Sequence, residues 1–191
     1  MINIFIAIAL ISLLWSVWGF FGSRVEQVDY VVLKKMNGYE IREYPAHIVA
    51  QTKVSGLYRE SMSNGFRIIA KYIFGGNIKK DNIAMTAPVV VTTEGDSQMI
   101  SFGMPRSYKF ETLPKPNDPR VETLMIPVKK YGVMRFSWYR SESRIKRMQE
   151  KLLSALMRDG VRSEGGLAYA GYNAPWTPPW MMRNEVLVEI K

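Results

Sequence analysis

An α+β fold is predicted for this 191-residue chain: an eight-stranded, mostly antiparallel distorted barrel with two flanking helices, preceded by an N-terminal transmembrane helix. The barrel is built from two pseudo-repeated strand-helix-strand-strand halves. Three observations predict it. Two stretches carry apolar residues at helical spacing, and glycine stops each of them. Segments of period-two alternation stand before and after both. No charged side chain precedes Arg24.

From Ile2 to Phe21 the polar side chains are Asn3, Ser12 and Ser16. Twenty helical residues rise about 30 Å, the thickness of a bilayer's hydrocarbon core. The run reads as a single-pass anchor, and Trp15, Trp18, Phe20 and Phe21 at its end suit an interfacial aromatic belt. A cleaved secretory signal is the rival, although no Lys or Arg precedes the apolar run and no pair of small residues sits at the right offset before Ser23. The chain is therefore divided into an anchor (or signal peptide) over 1–23 and a folded domain over 24–191. The membrane is one expected partner. Arg24 is offset by Glu26 and Asp29, so orientation is weakly set, with the extracytoplasmic side preferred.

Val28 to Leu33 and Tyr39 to Tyr44 predict two strands around an Asn37-Gly38 hairpin signal. After Pro45, Ile48, Ala50, Thr52 and Val54 share one strand face, and His47, Gln51 and Lys53 the other. His47, the only histidine, is thus expected at solvent. Ser55 and Gly56 end the strand and cap a helix from about Leu57 to Phe74, whose buried stripe is Tyr58, Met62, Gly65, Phe66, Ile69 and Ile73. Gly75-Gly76 stops it with a left-handed cap.

Ile83 to Val91 alternates apolar and smaller groups, with Pro88 demanding an edge, a bulge or irregular pairing. Gln98 to Met104 is the next strand, and Pro105 to Pro119 is an exposed loop. The pattern then repeats. Val121 to Val128 and Val133 to Arg140 are strands, the latter with Met134, Phe136 and Trp138 on one face. Glu142 to Asp159 is a helix with Ile145, Met148, Leu152, Ala155 and Leu156 inward. Leu167 to Tyr172 and Glu185 to Ile190 complete the set.

Composition narrows the function. Apolar and charged fractions of 47% and 23% fit a globular domain. The absence of cysteine excludes disulfides, zinc-thiolate sites and thiol catalysis. A net charge of +9 favours acidic partners. Arg140, Arg144, Lys146, Arg147, Lys151 and Arg158 cluster on the second helix, but Glu142 and Glu150 interrupt them and no stacking surface accompanies them. Nucleic acid is therefore disfavoured, with a solvated face or attraction to anionic lipid headgroups preferred. No catalytic pair, phosphate loop or metal-spaced cluster is present, so an enzyme is not expected. No protein partner can be named.

The loop from Gly171 to Val186 carries four prolines, Trp176, Trp180, Met181 and Met182. Flat apolar groups on a stiff loop suit a hydrophobic planar small molecule, because little rotamer entropy is lost on contact. The alternative is that both tryptophans lid the barrel or touch a bilayer.

Tyr39-Glu40-Ile41-Arg42, Met85-Thr86-Ala87-Pro88-Val89, Ala170-Gly171-Tyr172-Asn173 with Pro175, and Arg183-Asn184-Glu185-Val186 stand in an order that resembles the SOUL haem-binding family. The resemblance covers roughly Tyr30 to Lys191. It implies binding of haem or another tetrapyrrole in a shallow cleft between the first helix and the late proline-bearing loop, with basic groups meeting the propionates. Carried over by position, Phe66, Arg67, Ala70 and Lys71 on the helix and Trp176, Trp180, Met181 and Met182 on the loop would contact the cofactor. Ser63 and Thr177 stand where the family offers basic residues, and Glu43 where its histidine-bearing members place an axial ligand. Binding without an axial histidine is thus implied, for transport, buffering or hand-over by a membrane-tethered domain. A sensing or interaction module that takes other amphipathic ligands in the same cleft is the alternative.

Overall fold

The computed structural model describes Trp15, Ser16 and residues 25–191. The expected anchor falls outside the described residues except at those first two. Among the described residues no helix is long and apolar enough to cross a membrane.

The elements follow in chain order. They are β1 (Glu26–Gln27), β2 (Val31–Lys35), β3 (Glu40–Tyr44), β4 (His47–Ser55), helix α1 (Tyr58–Ile73), β5 (Thr86–Ala87), β6 (Val89–Glu94) and β7 (Ser97–Gly103). After a long loop come β8 (Glu122–Ile126), β9 (Lys129–Phe136), helix α2 (Glu142–Arg158), β10 (Ser163–Gly171), a 3-10 turn (Pro179–Met181) and β11 (Asn184–Ile190).

Nine strands form one antiparallel sheet in the order β2-β3-β9-β11-β10-β6-β7-β4-β8, while β1 pairs in parallel with β5. The sheet curls into half a barrel and remains open, which corrects the expected eight-stranded barrel. Its edge strands β2 and β8 are five residues each, and β2 is exposed throughout and ends in Lys34-Lys35. Short, charged edges discourage pairing with each other or with another chain.

The internal repeat is present as expected. The first half contributes β4, β7 and β6 under α1; the second contributes β9, β11 and β10 under α2. The halves meet where β6 pairs with β10, and each lends the strand before its own outer strand to the other: β3 lies beside β9, and β8 beside β4.

One core lies between the helices and the sheet, around Ile69, Tyr72, Ile100, Phe102, Leu152, Leu156 and Val188. Fully burying an aliphatic side chain of this size stabilises by roughly 1.5–3 kcal/mol. Gly65 lets α1 approach the sheet closely, since a Cβ there would stand 2.5 Å from Ile100 Cδ1. At the other end Gly75 takes φ +94°, and Gly76 N–H donates to the Lys71 carbonyl at 2.8 Å, the expected left-handed stop.

A second core, absent from the sequence reading, covers the opposite sheet face. Tyr44, Ala87, Val133, Tyr172 and Leu187 pack there beneath Val25, Val28 and Tyr30. This explains why β11 is buried at almost every position, on both faces.

Four local expectations change. Ser55 does not cap α1: the cap position is Leu57, with no side-chain bond, and the Ser55 hydroxyl meets that of Ser97 at 2.9 Å. Phe66 is 39% exposed, and Ser61 and Tyr72 complete the buried stripe in its place. The alternation of Ile83–Val91 breaks at Pro88, with Ala87 turned to the second core while Met85, Val89 and Val91 serve the first. The strand at 133–140 begins earlier and ends at Phe136. Beyond it Trp138, with φ +75°, turns outward rather than joining Met134 and Phe136.

Candidate functional site

The helix half of the expected cleft is the outward stripe of α1. Phe66 stands 5.3 Å, centroid to centroid, from Phe102. Arg67 and Lys71, one helical turn apart, are both exposed, and Ala70 between them is half-buried. The Arg67 guanidinium donates to Asn64 one turn back, which keeps it along the helix surface.

The loop half is stiffened by more than its prolines. Thr177 N–H donates to Ala174 O at 3.0 Å, Met181 N–H to Pro178 O at 2.9 Å, and Trp138 N–H to Pro179 O at 2.9 Å. Thr177, Pro178 and Pro179 are buried, which leaves Trp176 and Trp180 standing out at 56% and 44% exposure. Met181 is half-buried. Met182 is buried, so it holds the loop's root and does not face outward with the tryptophans. Trp15 touches this loop: its indole N–H donates to Trp176 O at 2.9 Å, and its ring meets Trp180 edge-on at 5.5 Å.

Sheet register relates the two halves. Gly171, from which the loop departs, pairs with Val89, and Val89 pairs with Phe102, the partner of Phe66. Two strand spacings, about 10 Å, therefore separate the loop's root from the strand under Phe66. Arg140, expected on the solvated face of the second helix, lies instead beside the loop's root: a Cβ on Gly171 would lie 3.4 Å from its guanidinium.

Two concavities adjoin this region, and the eight predicted residues line neither. The larger, about 650 Å³, opens between the start of α1 and α2 over Val91, Ile145 and Tyr169. Tyr58 lines it; burial, and then the neighbouring Tyr169, push its phenol up to about 12, and its hydroxyl has no partner among the described residues. The smaller, about 460 Å³, lies beside Trp138, Tyr139, Ser141, Ser143, Arg144 and Arg147.

The four sequence motifs meet elsewhere, on the second-core face. Glu185, fully buried, accepts from Arg42 Nη1 at 2.9 Å and Tyr172 OH at 2.8 Å on one oxygen, and from Arg183 at 2.9 Å on the other. Arg42 also pairs with Glu40 at 2.8 Å and lies 4.3 Å over the Tyr30 ring, and Arg183 lies 3.7 Å over Tyr172. Burial alone would lower the Arg42 pKa, and the Glu185 charge overrides it, so the guanidinium is held charged. Burial, with Glu185 beside it, pushes the Tyr172 phenol far up. Asn173 Oδ1 accepts from Arg183 N–H at 2.6 Å, and Thr86 donates to Gly103 O at 2.6 Å beside the β1-β5 pair. Arg42, Arg183 and Ala87 hold the N-terminal segment to the sheet: Arg42 lies over the Tyr30 ring, Arg183 donates to Gln27 and Tyr30, and the Ala87 carbonyl accepts from Val28 N–H.

His47 sits on β4 with Nδ1 2.8 Å from Pro45 O, and Glu43 is half-buried on β3. Among the described residues no group of three His, Cys, Asp or Glu could hold a metal ion.

Residues 25–189 match the model of the SOUL heme-binding protein family. No curated protein matches the chain in sequence. Among solved structures, the chain is similar to the C-terminal domain of EcmrR, at 10% identity and a TM-score of 0.62 over 80% of this chain and 98% of that one. EcmrR in its complex with DNA gives 11% identity and 0.61, over 80% of this chain and 57% of that one. A hydrolase from Listeria innocua gives 8% and 0.58, over 83% and 94%. At such identities the likeness concerns the fold alone.

Proposed function

The chain belongs to the SOUL heme-binding protein family, and from that premise we propose that it binds haem or a related tetrapyrrole at the outer stripe of α1 and the tryptophan loop, without transforming it. The carrying observation is that Trp176, Trp180 and Phe66 present aromatic surface to solvent on supports that cannot collapse, at the same end of the sheet. An exposed ring on a rigid support loses little entropy when a flat apolar ligand covers it. Arg67, Lys71 and Arg140 stand near enough to this surface to pair with peripheral carboxylates. On this reading the iron takes no axial histidine, and the domain carries and hands over the ring rather than activating it. The uncharged run from Ile2 to Phe21 would tether the domain to a membrane, on the extracytoplasmic side.

Titration of the full chain in lipid nanodiscs with protoporphyrin, referenced to protein-free nanodiscs, tests this reading. Saturable quenching of tryptophan emission at micromolar ligand, weakened by Trp180→Ala, is expected. A linear response equal to that of the empty nanodiscs would overturn it.

A second reading takes the 650 Å³ concavity between the helices as the site for another amphipathic molecule. The unpartnered Tyr58 hydroxyl favours it. Quenching that survives Trp180→Ala and Phe66→Ala but fails in Tyr58→Phe would select it.

A further inference from the structure

Trp138 is unexplained by either ligand site. A tryptophan with φ +75° occupies a backbone region that bulky residues avoid. Its ring is nevertheless 52% exposed, and Tyr139 beside it is 61% exposed. The strain thus displays an aromatic pair to solvent instead of burying it. Behind the pair lies the smaller concavity, with the Ser141 and Ser143 hydroxyls and the Arg144 and Arg147 guanidinia. Arg144 is fixed there, donating to Ser137 O at 3.0 Å, while Arg147 is exposed.

We propose that this edge is a second membrane contact, in which Trp138 and Tyr139 lie at the headgroup level of an anionic bilayer and Arg147, backed by Arg144, pairs with lipid phosphate. Two observations commit it to that occupant. The edge is continuous with the uncharged N-terminal run, because Trp15 of that run rests on the loop whose Pro179 carbonyl holds the Trp138 backbone. Aromatic rings flanked by arginine are also the pattern that suits a negatively charged interface. The consequence is a fixed posture, with α2 pointing its start at the bilayer and its far end, about 25 Å away, into water. The inference rests on the tether proposed above and is independent of tetrapyrrole binding.

The chain has no cysteine, so single sites can be labelled. A nitroxide is placed by Tyr139→Cys, and a control by Asn37→Cys in the turn that Arg158, at the far end of α2, touches at 3.2 Å. The full-length variants are reconstituted in zwitterionic vesicles with and without an acidic phospholipid. With acidic lipid, the Tyr139→Cys label is expected to lose collisions with a water-soluble nickel relaxant and gain them with oxygen. The Asn37→Cys label stays in water, and Arg147→Glu returns the first label to water without releasing the chain. Equal water access at both labels in floating vesicles overturns the docking while leaving the tether. Immersion indifferent to acidic lipid and to Arg147→Glu also overturns it, and a chain that fails to float overturns tether and docking together.

Discussion

Two regions of the molecule treat polar and aromatic groups in opposite ways. On the second-core face, the buried Arg42, Glu185 and Tyr172 and the half-buried Arg183 and Tyr30 engage one another. At the helix-and-loop edge, Phe66, Trp138, Trp176 and Trp180 stand exposed beside cations with few partners. The first region contains the fragments that make the family recognisable, and it has no free valence for a ligand. The second has almost none of those fragments and all the free surface. Family membership here is written in residues that close the fold, and the proposed site is made of residues the motifs do not include.

The sharpest way to break that contrast is Glu185→Gln. Removing the charge takes from Arg42 and Arg183 the carboxylate they share, leaving Arg42 only the half-buried Glu40, and a loss of about 3 kcal/mol in denaturant unfolding is expected. Porphyrin affinity of the remaining folded protein should not change. If unfolding is unaffected, the cluster does not hold the fold as described. Next in size is Gly65→Ala. The added methyl would meet Ile100 side-chain atoms at 2.5 and 2.8 Å, and overpacking of this kind costs about 1–3 kcal/mol.

Trp176→Ala and Trp180→Ala should reverse the pattern of Glu185→Gln. Stability is expected within about 0.5 kcal/mol of wild type, with porphyrin affinity down about tenfold for each. Lys71→Glu should cost only a few-fold, and less in high salt, because the pair it could form is exposed.

Alkaline titration sharpens the contrast from the other side. Burial, then the Glu189 charge, pushes the Tyr131 phenol on the second-core face up to about 12. A raised native pKa means the folded state holds that proton more tightly than the unfolded chain, whose phenols ionise near 10. The associated stability is complete below about pH 10 and is lost as pH rises towards 12. Melting temperature should therefore fall across that window. Tyr131→Phe, which has no proton to lose, should flatten part of the fall. The smallest effect expected is from His47→Ala, which should leave porphyrin spectra unchanged.

Much of the fold was legible because periodicity reports burial. The α2 range, the Asn37-Gly38 hairpin, the Gly75 stop and the repeated order of elements all follow from local pattern. The second core was not legible, since Tyr44 and Leu187 alternate with core residues and gain their cover only from a distant segment, while Ala87 reads with Met85 and Val89 until the chain turns at Pro88. Nor was the end of β9, where alternation through Trp138 continues in sequence while the backbone turns left-handed. The candidate site was half legible. The aromatic loop announced itself by composition, but Met182 proved to be its buried root, and Arg140 gained its place only through packing beside Gly171. The larger concavity joins α1, α2 and the β6-β7 turn, three stretches with no shared motif, so no local signal marked it.

The central claim is that a flat ligand is held by exposed rings and cations with no bond to its metal. Parallel titration of the full chain with hemin and with metal-free protoporphyrin tests it most directly. The account predicts dissociation constants for the two within about threefold and no ligand-field band unique to the iron form. Tight hemin binding with a six-coordinate spectrum, beside negligible binding of the metal-free ring, would contradict it.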